Sequence, residues 1–472
     1  MKKILTIIAA SLVFLAPAFA QNDYDKDSKP GRKHHAKPEL REELKAHFKP
    51  YGFIRNYAFY DTRATKSLAE DMFFFIPLDR KMAGDNDLNA VGNFGFQAIS
   101  TRLGLDIKGY RIGSTDIEGK IEADFYCLNS GGNTGTLRMR QAYVKLGWEP
   151  SETFSHTLLI GQTWHPLAAD MAHTIALETG APFTPFNRSA QIMYNANIGK
   201  SVTLTAGFIE QLQYRSNGPD GSTNKYQRHA ILPEVYFGVS LKSGGFLGRI
   251  GVSALSIRPH YGYMTSNATL QQTATFTDTD GNEHVINVGP STTVTNVSNT
   301  QYKEWLTTFN PFIFLQYTSK NSFQVKAKAS YVQSGEHMQI NGGYAAVAVK
   351  DDGFSCEYAP TQSLVSFVSA QYGKKFQVLG MIGYHKNLGL AGGKEMLSGG
   401  QYFFSGNGFK NINQMLRVSP TIAYNLGKMQ FALEYDYTMV QYGSGFNANA
   451  TVTEDLHWIG NSRILAMAKF SF

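Results

Sequence analysis

From Tyr51 to the last residue the chain breaks into about sixteen runs of strand character, and the gaps between them alternate in length. The first run spans about 51 to 61 and the last 461 to 472. After even-numbered runs the connection is tiny: "EPSET" near Pro150, "GKS" at Gly199, "SGG" at Ser243, "SKN" at Ser319, and "GK" at Gly373 and again at Gly427. After odd-numbered runs it is mostly long, as at 62–96, 164–189, 259–308, 333–360 and 386–414. That alternation requires each strand to pair with its neighbour in sequence, with both ends of the series on the short-turn rim. A sandwich with Greek-key crossovers has no cause to alternate in this way.

The faces of the runs say what surrounds them. Ile117, Ile121, Ala123 and Phe125 alternate with Glu118, Lys120, Glu122 and Asp124; Phe431, Leu433, Tyr435 and Tyr437 alternate with Gln430, Glu434 and Asp436. The closing stretch "ILAMAKFSF" sets Ile464, Ala466, Ala468, Phe470 and Phe472 against Leu465, Met467, Lys469 and Ser471. A charge on the lipid side of a membrane strand costs a few kcal/mol near the midplane, so the apolar faces meet lipid and the charged faces line a wet interior. The expected fold is all-β: a transmembrane antiparallel β-barrel of about sixteen strands with short periplasmic turns and long extracellular loops. One run resists this division, because in "YGFIRNYAFYD" Arg55 shares a face with Tyr51, Phe53, Tyr57 and Phe59.

Composition fits the same reading. The chain has 25 Tyr, 32 Phe and 45 Gly, and beyond its first twenty residues no segment reaches the 18 consecutive apolar residues of a transmembrane helix. "MKKILTIIAASLVFLAPAFA" is a signal peptide, with two lysines, an apolar run and Ala18-Phe19-Ala20 as cleavage site. Three parts are therefore expected: residues 1–20 as signal peptide, 21–50 as a periplasmic segment and 51–472 as barrel. Within 21–50, "KPELREELKAHFKP" spaces Leu40, Leu44 and Phe48 for one face of a short helix, although a solvated leader is the plainer reading. "KHH" at Lys33–His35 does not supply a structural metal site.

Of the net charge of +7, residues 51–472 carry only +3, too little to argue for nucleic acid. No cofactor is implied. Cys127 and Cys356 are far apart in sequence and whether they pair stays open. There is no G-x-S-x-G and no H-E-x-x-H for a barrel hydrolase.

With signal, strand number, gap pattern and terminal Phe in place, the chain resembles the trimeric outer-membrane porins of Gram-negative bacteria. "YGFIRNYAFYDTR" as a first strand, "RMRQAYVKLGW" (Arg138 to Trp148) and "LIGQTWHP" (Leu159 to Pro166) are most like the DcaP-like porins, with phosphate-selective porins next. The resemblance implies passive diffusion of small polar solutes, a homotrimer in lipid and lipopolysaccharide, and a terminal Phe470 and Phe472 that the barrel-assembly machinery reads. It also implies that the third long loop, "WHPLAADMAHTIALETGAPFTPFNR", folds inward and narrows the lumen. A short helix is expected over Leu167 to Leu177.

By strand parity the lumen includes Arg102, Arg138, Arg140, Lys326, Lys328 and Arg417, with Arg188 at the end of the third loop. The loop's Asp170 and Glu178 are expected to face the basic set Arg102, Arg138 and Arg140 across the passage and to set a transverse field with a weak anion preference. In the contrary reading these charges pair locally as struts. A gated substrate-specific channel and an adhesin or scaffold barrel, its mouth covered by the Thr- and Asn-rich loop 259–308, are the other functional readings.

Overall fold

The structure, a computed structural model, describes residues 47–472 apart from 69–70, 99, 130–131, 211–215, 261–262, 271–272, 288–291, 352–354 and 405–410. The expected helix over the leader falls largely outside them, but Phe48, Lys49 and Pro50 already belong to the first strand.

Sixteen strands run antiparallel, each hydrogen-bonded to its sequence neighbour: β1 (Phe48–Asp61), β2 (Arg102–Ile112), β3 (Thr115–Asn129), β4 (Gly132–Ser151), β5 (Phe154–Trp164), β6 (Arg188–Ile198), β7 (Val202–Glu210), β8 (Glu234–Ser243), β9 (Phe246–Ile257), β10 (Leu306–Thr318), β11 (Phe323–Gln333), β12 (Cys356–Gly373), β13 (Phe376–Leu390), β14 (Ile412–Leu426), β15 (Met429–Tyr442) and β16 (His457–Ser471). β16 returns to β1 in a register running from Phe53 opposite Ser471 to Asp61 opposite Arg463, so the sheet has no free edge. Gly52 and Phe472 finish the seam with two backbone hydrogen bonds, at 3.2 and 3.1 Å. A Cβ at Gly52 would lie 2.6 Å from the Phe472 ring, so only glycine lets the terminal aromatic lie across the seam.

β2 reaches β1 in two pieces. Asn93–Gln97 pairs with the loop-side half of β1 and Arg102–Ile112 with the turn-side half. In the break between them Ser100 and Thr101 turn back to β1, where the Arg55 guanidinium donates to Ser100 at 3.0 Å.

The pleat separates lipid from lumen as the sequence alternation requires. Ile121, Leu433, Tyr435, Ile464 and Phe470 are exposed on the outer surface, whereas Glu122, Asp124, Glu434, Asp436 and Arg463 are buried inside. The ambiguous first strand turns its mixed face inward: Tyr57 and Phe59 pack inside the barrel on Met72, Phe75, Ala176, Leu465 and Met467. The interior is therefore not uniformly wet and charged. A larger apolar cluster joins Phe73, Phe74, Ile76, Leu167, Phe183, Phe186, Met338 and Ile340 to wall residues such as Phe314, Phe367 and Met415. These loop residues come from three connections: L1 (62–101), L3 (165–187) and L6 (334–355). L5 (258–305) instead forms a hairpin ladder, pairing Tyr263–Leu270 with Thr292–Gln301 and Thr273–Thr277 with Glu283–Asn287.

Candidate functional site: the lumen and its inward loops

L3 has almost no regular structure. Beyond the 3-10 turn Pro166–Ala168 the expected helix is absent, because the wall rather than the loop itself satisfies the loop's backbone. The Glu434 carboxylate on β15 accepts from Ile175 N at 2.8 Å, Ala176 N at 3.0 Å, Thr174 Oγ1 at 2.7 Å and Thr421 Oγ1 at 2.6 Å. Tyr57 Oη donates to the Ile175 carbonyl at 2.6 Å. Lys326 and Lys328 on β11 donate to the carbonyls of Met171 and Leu167. At the start of the loop the imidazole of His165 accepts from Leu167 N through Nδ1, which leaves Nε2 to donate to Glu234 on β8 at 3.1 Å.

Arg417 on β14 holds two loops at once. Its guanidinium donates to Glu178 at 2.5 Å and the Ala181 carbonyl in L3, to the Phe74 carbonyl in L1 at 2.6 Å, and to Thr438 on β15. It also lies 3.8 Å over the Phe75 ring and 5.0 Å over that of Phe183. Arg463 repeats the arrangement two strands on, on β16, bidentate to Asp61, donating to the Asp71 carbonyl and stacked on Phe59 and Phe75. Phe74 and Phe75 take positive φ angles of 72° and 34°, conformations that cost a non-glycine residue free energy and persist here under this clamp.

The sequence expectation for the charges is corrected accordingly. Asp170 and Glu178 do not face Arg102, Arg138 and Arg140. Asp170 pairs with Arg249 on β9 at 2.6 Å, and Glu178 pairs with Arg417. The loop lies against β8–β15, so its carboxylates reach the nearest wall cations rather than those across the passage. Lys328, Arg188 and Arg417 are buried beneath L3 instead of facing open lumen, and the Arg188 guanidinium stacks 4.8 Å from the Trp164 ring.

Arg102, Arg138 and Arg140 are nevertheless brought together, by two acids of β3. Glu122 accepts from Arg140 at 2.8 Å and pairs with Arg102 at 3.7 Å; Asp124 accepts from Arg140 at 2.7 Å and from Arg138 through two bonds of 3.1 Å. Three guanidiniums thus share two carboxylates. Both acids lie at the back, with side chains 5% and 2% exposed, while those of Arg102 and Arg138 are 21% and 26% exposed. Arg55 stands beside them, 4.9 Å over Phe53 and 5.1 Å over Tyr57. The basic side of the group is the side that solutes meet. Sequence reasoning placed these three arginines; it missed the Glu434 anchor and the inward course of L1, whose one signal is the run Phe73-Phe74-Phe75-Ile76 inside a connection.

L6 enters beside L3. Phe186 N donates to the Met338 carbonyl at 2.9 Å and Asn187 Nδ2 to the His337 carbonyl at 2.5 Å. Burial pushes the Glu336 carboxyl up to about 7 and the His337 imidazole, 4.0 Å from Glu234, down to about 4. The signs oppose. Glu336 favours the tucked loop fully below its ordinary 4.5, and that preference is lost as pH rises through 7. His337 favours it fully above its ordinary 6.5, and that preference is lost as pH falls through 4. Between about 4.5 and 6.5 the two slopes cancel. Channel conductance is therefore expected to stay level across that window, whereas His337→Gln makes it climb from pH 4.5 to 7 as L6 loosens. Parallel pH profiles of the two proteins would remove this pair from loop retention.

Comparison with known proteins agrees with this geometry. The family model of the DcaP outer membrane protein matches residues 28–213. Among solved structures the fold is similar to the outer membrane channel DcaP of Acinetobacter baumannii, at 17% identity over 91% of this chain and 98% of that one, with a TM-score of 0.59. The chain shares the fold of that outer-membrane barrel, and residues 28–213 match the DcaP family model. The solved structures also include an anion-selective porin from Comamonas acidovorans (10% identity, 90% of this chain and 99% of that one, TM-score 0.49) and the outer-membrane expressed OmpT of Vibrio cholerae (11%, 90% and 97%, 0.46). No curated protein matches the chain. Both likenesses are to outer-membrane barrels.

Proposed function

We propose that the channel admits small hydrophilic solutes by passive diffusion, through a lumen that L3 narrows with the help of L1 and L6, and that it prefers anions weakly. One observation carries the preference: L3 spends its two carboxylates on Arg249 and Arg417, so Arg102, Arg138 and Arg55 face the passage with neither carboxylate of L3 against them. Cations fixed along a low-dielectric wall raise the local concentration of anions without binding them tightly. Assembly as a homotrimer is part of the proposal, as is recognition of Phe470 and Phe472 during biogenesis, residues whose rings are exposed on the outer face at the seam.

Planar-bilayer recording under a salt gradient tests both parts. Conductance steps are expected in threes, and Arg102→Gln with Arg138→Gln is expected to move the reversal potential toward cation selectivity. An unchanged potential would take these arginines out of ion selection. A silent bilayer from a barrel that shows heat-modifiable gel mobility would favour instead a gated channel, in which the three inward loops seal the mouth.

A further inference from the structure

The lumen has two unlike halves on its periplasmic side. Along β2–β4 the inward side chains are charged and paired across strands, as Lys120 with Asp106 and Lys145 with Glu118. Along β5–β8 they are neutral as far as Lys242, which closes β8 at the rim. Thr157, Asn195 and Thr205 stand directly opposite one another on β5, β6 and β7, and Thr205 Oγ1 donates to Asn195 Oδ1 at 2.7 Å while Asn195 Nδ2 donates to Thr157 at 3.2 Å. Two residues further along each strand, about 6.8 Å by strand geometry, a second rung repeats the pattern through Ser155, Asn197 and Thr203. There Thr203 donates to Asn197 at 2.8 Å and Asn197 to Ser155 at 3.1 Å, and Ser240 on β8 lies opposite Thr203.

Asn195, Thr203, Thr205 and Ser240 border a cavity of about 790 Å³ beneath L3, and further along the same strands its lining turns apolar at Leu159, Met193 and Tyr236, with Trp164 at the end of β5. Arg249 reaches this cavity but is paired with Asp170; Lys200 and Lys242 stand exposed at its periplasmic rim.

We infer that this cavity is a binding subsite for neutral sugars of one or two rings, entered on the way through the channel; the inference rests on the diffusion-channel reading. The chemistry of the wall carries it. Each rung uses only part of its hydrogen-bonding capacity: Asn195 keeps a second N–H and a second lone pair, and the threonine oxygens that donate within the rungs keep lone pairs to accept. A solute bearing rows of hydroxyls, each both donor and acceptor, exchanges water for such a wall at little cost in desolvation. An ion would forfeit hydration that neutral amides and hydroxyls do not replace. The apolar residues that continue this wall toward L3 suit the C–H face of a sugar ring, and the volume falls in the usual range for small-ligand pockets, about 300–1,000 Å³.

The test is current block in planar bilayers holding the full barrel, with maltose added to one chamber at a time and a poly(ethylene glycol) of similar mass as size control. Maltose is expected to reduce the current along a saturating curve, and the glycol along a non-saturating one. Asn195→Leu with Thr205→Val should raise the half-blocking concentration at least tenfold. The isosteric pair Thr203→Val and Ser240→Ala, which spares the first rung, should raise it several-fold. A non-saturating response of the wild type to maltose, or saturation that survives in both variants, overturns the subsite while leaving the channel standing. A folded barrel that passes no current overturns the channel reading and the subsite with it.

Discussion

Glu434→Ala is expected to open the channel. Both oxygens of this carboxylate receive a backbone N–H from L3, Ala176 on one and Ile175 on the other, as well as a threonine hydroxyl each. Hydrogen bonds to a charged acceptor contribute about 1.5–3 kcal/mol apiece, and each N–H left buried without a partner costs about 1–3 kcal/mol. Losing the anchor therefore weakens retention of residues 174–176 by at least about 3 kcal/mol, roughly a hundredfold in the ratio of seated to released loop. Tyr57 does not substitute for it, because its hydroxyl is engaged in donating to the Ile175 carbonyl and not in accepting from the two N–H groups. Single-channel conductance should rise and become noisier, and larger sugars should enter in liposome swelling. Glu434→Gln separates charge from shape. One end of the amide is a donor, and it must meet either Ile175 N–H or Ala176 N–H, so the glutamine variant should behave nearly like the alanine one. A glutamine variant with wild-type conductance would show that the anchor acts without its charge.

Much of this molecule is legible in its sequence, and the boundary is physical. Strand positions follow from a period of two between lipid and lumen, which each strand expresses locally; the gap alternation then fixes the topology without any long-range knowledge. β16 at His457–Ser471 and β9 at Phe246–Ile257 lie close to where alternation places them. Charged lumen residues follow from the same parity. What parity cannot state is what a lumen residue touches, because its partners come from loops with no period. Arg417 reads as a lumen base, and its inward direction is correct; that it lies beneath two loops depends on the course of Phe73–Pro77 and Thr179–Phe183. Likewise Asp170 and Glu178 read as loop acids free to face any cation, and the wall nearest L3 decides which. The aromatic face of β1 stays ambiguous in the sequence for the same reason: Tyr57 and Phe59 face inward because L1 and L3 bring Met72, Phe75 and Ala176 to cover them.

Arg417→Met is expected to loosen L1 and L3 together, the second large effect. One guanidinium supplies donors to the Phe74 and Ala181 carbonyls and to Glu178, three acceptors in two loops, and methionine supplies none. Burial pushes the Glu178 carboxyl up against the opposing pull of Arg417, so without Arg417 it moves higher still and holds its proton at neutral pH. The vacancy is then filled by an uncharged carboxyl, and the loss appears chiefly as freed backbone and relaxed positive-φ residues in L1. Glu178→Gln is the harsher single change at the pair itself, because it leaves a buried guanidinium without its nearest counter-charge, a situation that costs about 3–5 kcal/mol where no other acid relieves it. Asp436, buried nearby, relieves part of that cost. Combining Arg417→Met with Glu178→Gln should therefore recover stability relative to Glu178→Gln alone while keeping the raised conductance, since the charges cancel but the grip on Phe74 remains lost. Arg417→Lys divides the roles differently: a point charge can still meet Glu178 but cannot fork to both loops, so L3 should stay seated while L1 frees. Resistance to heat-induced mobility change reads the first quantity and single-channel conductance the second. Additive effects of the two substitutions on both would show that Arg417 and Glu178 act separately, and that the two-loop clamp does not work as one unit.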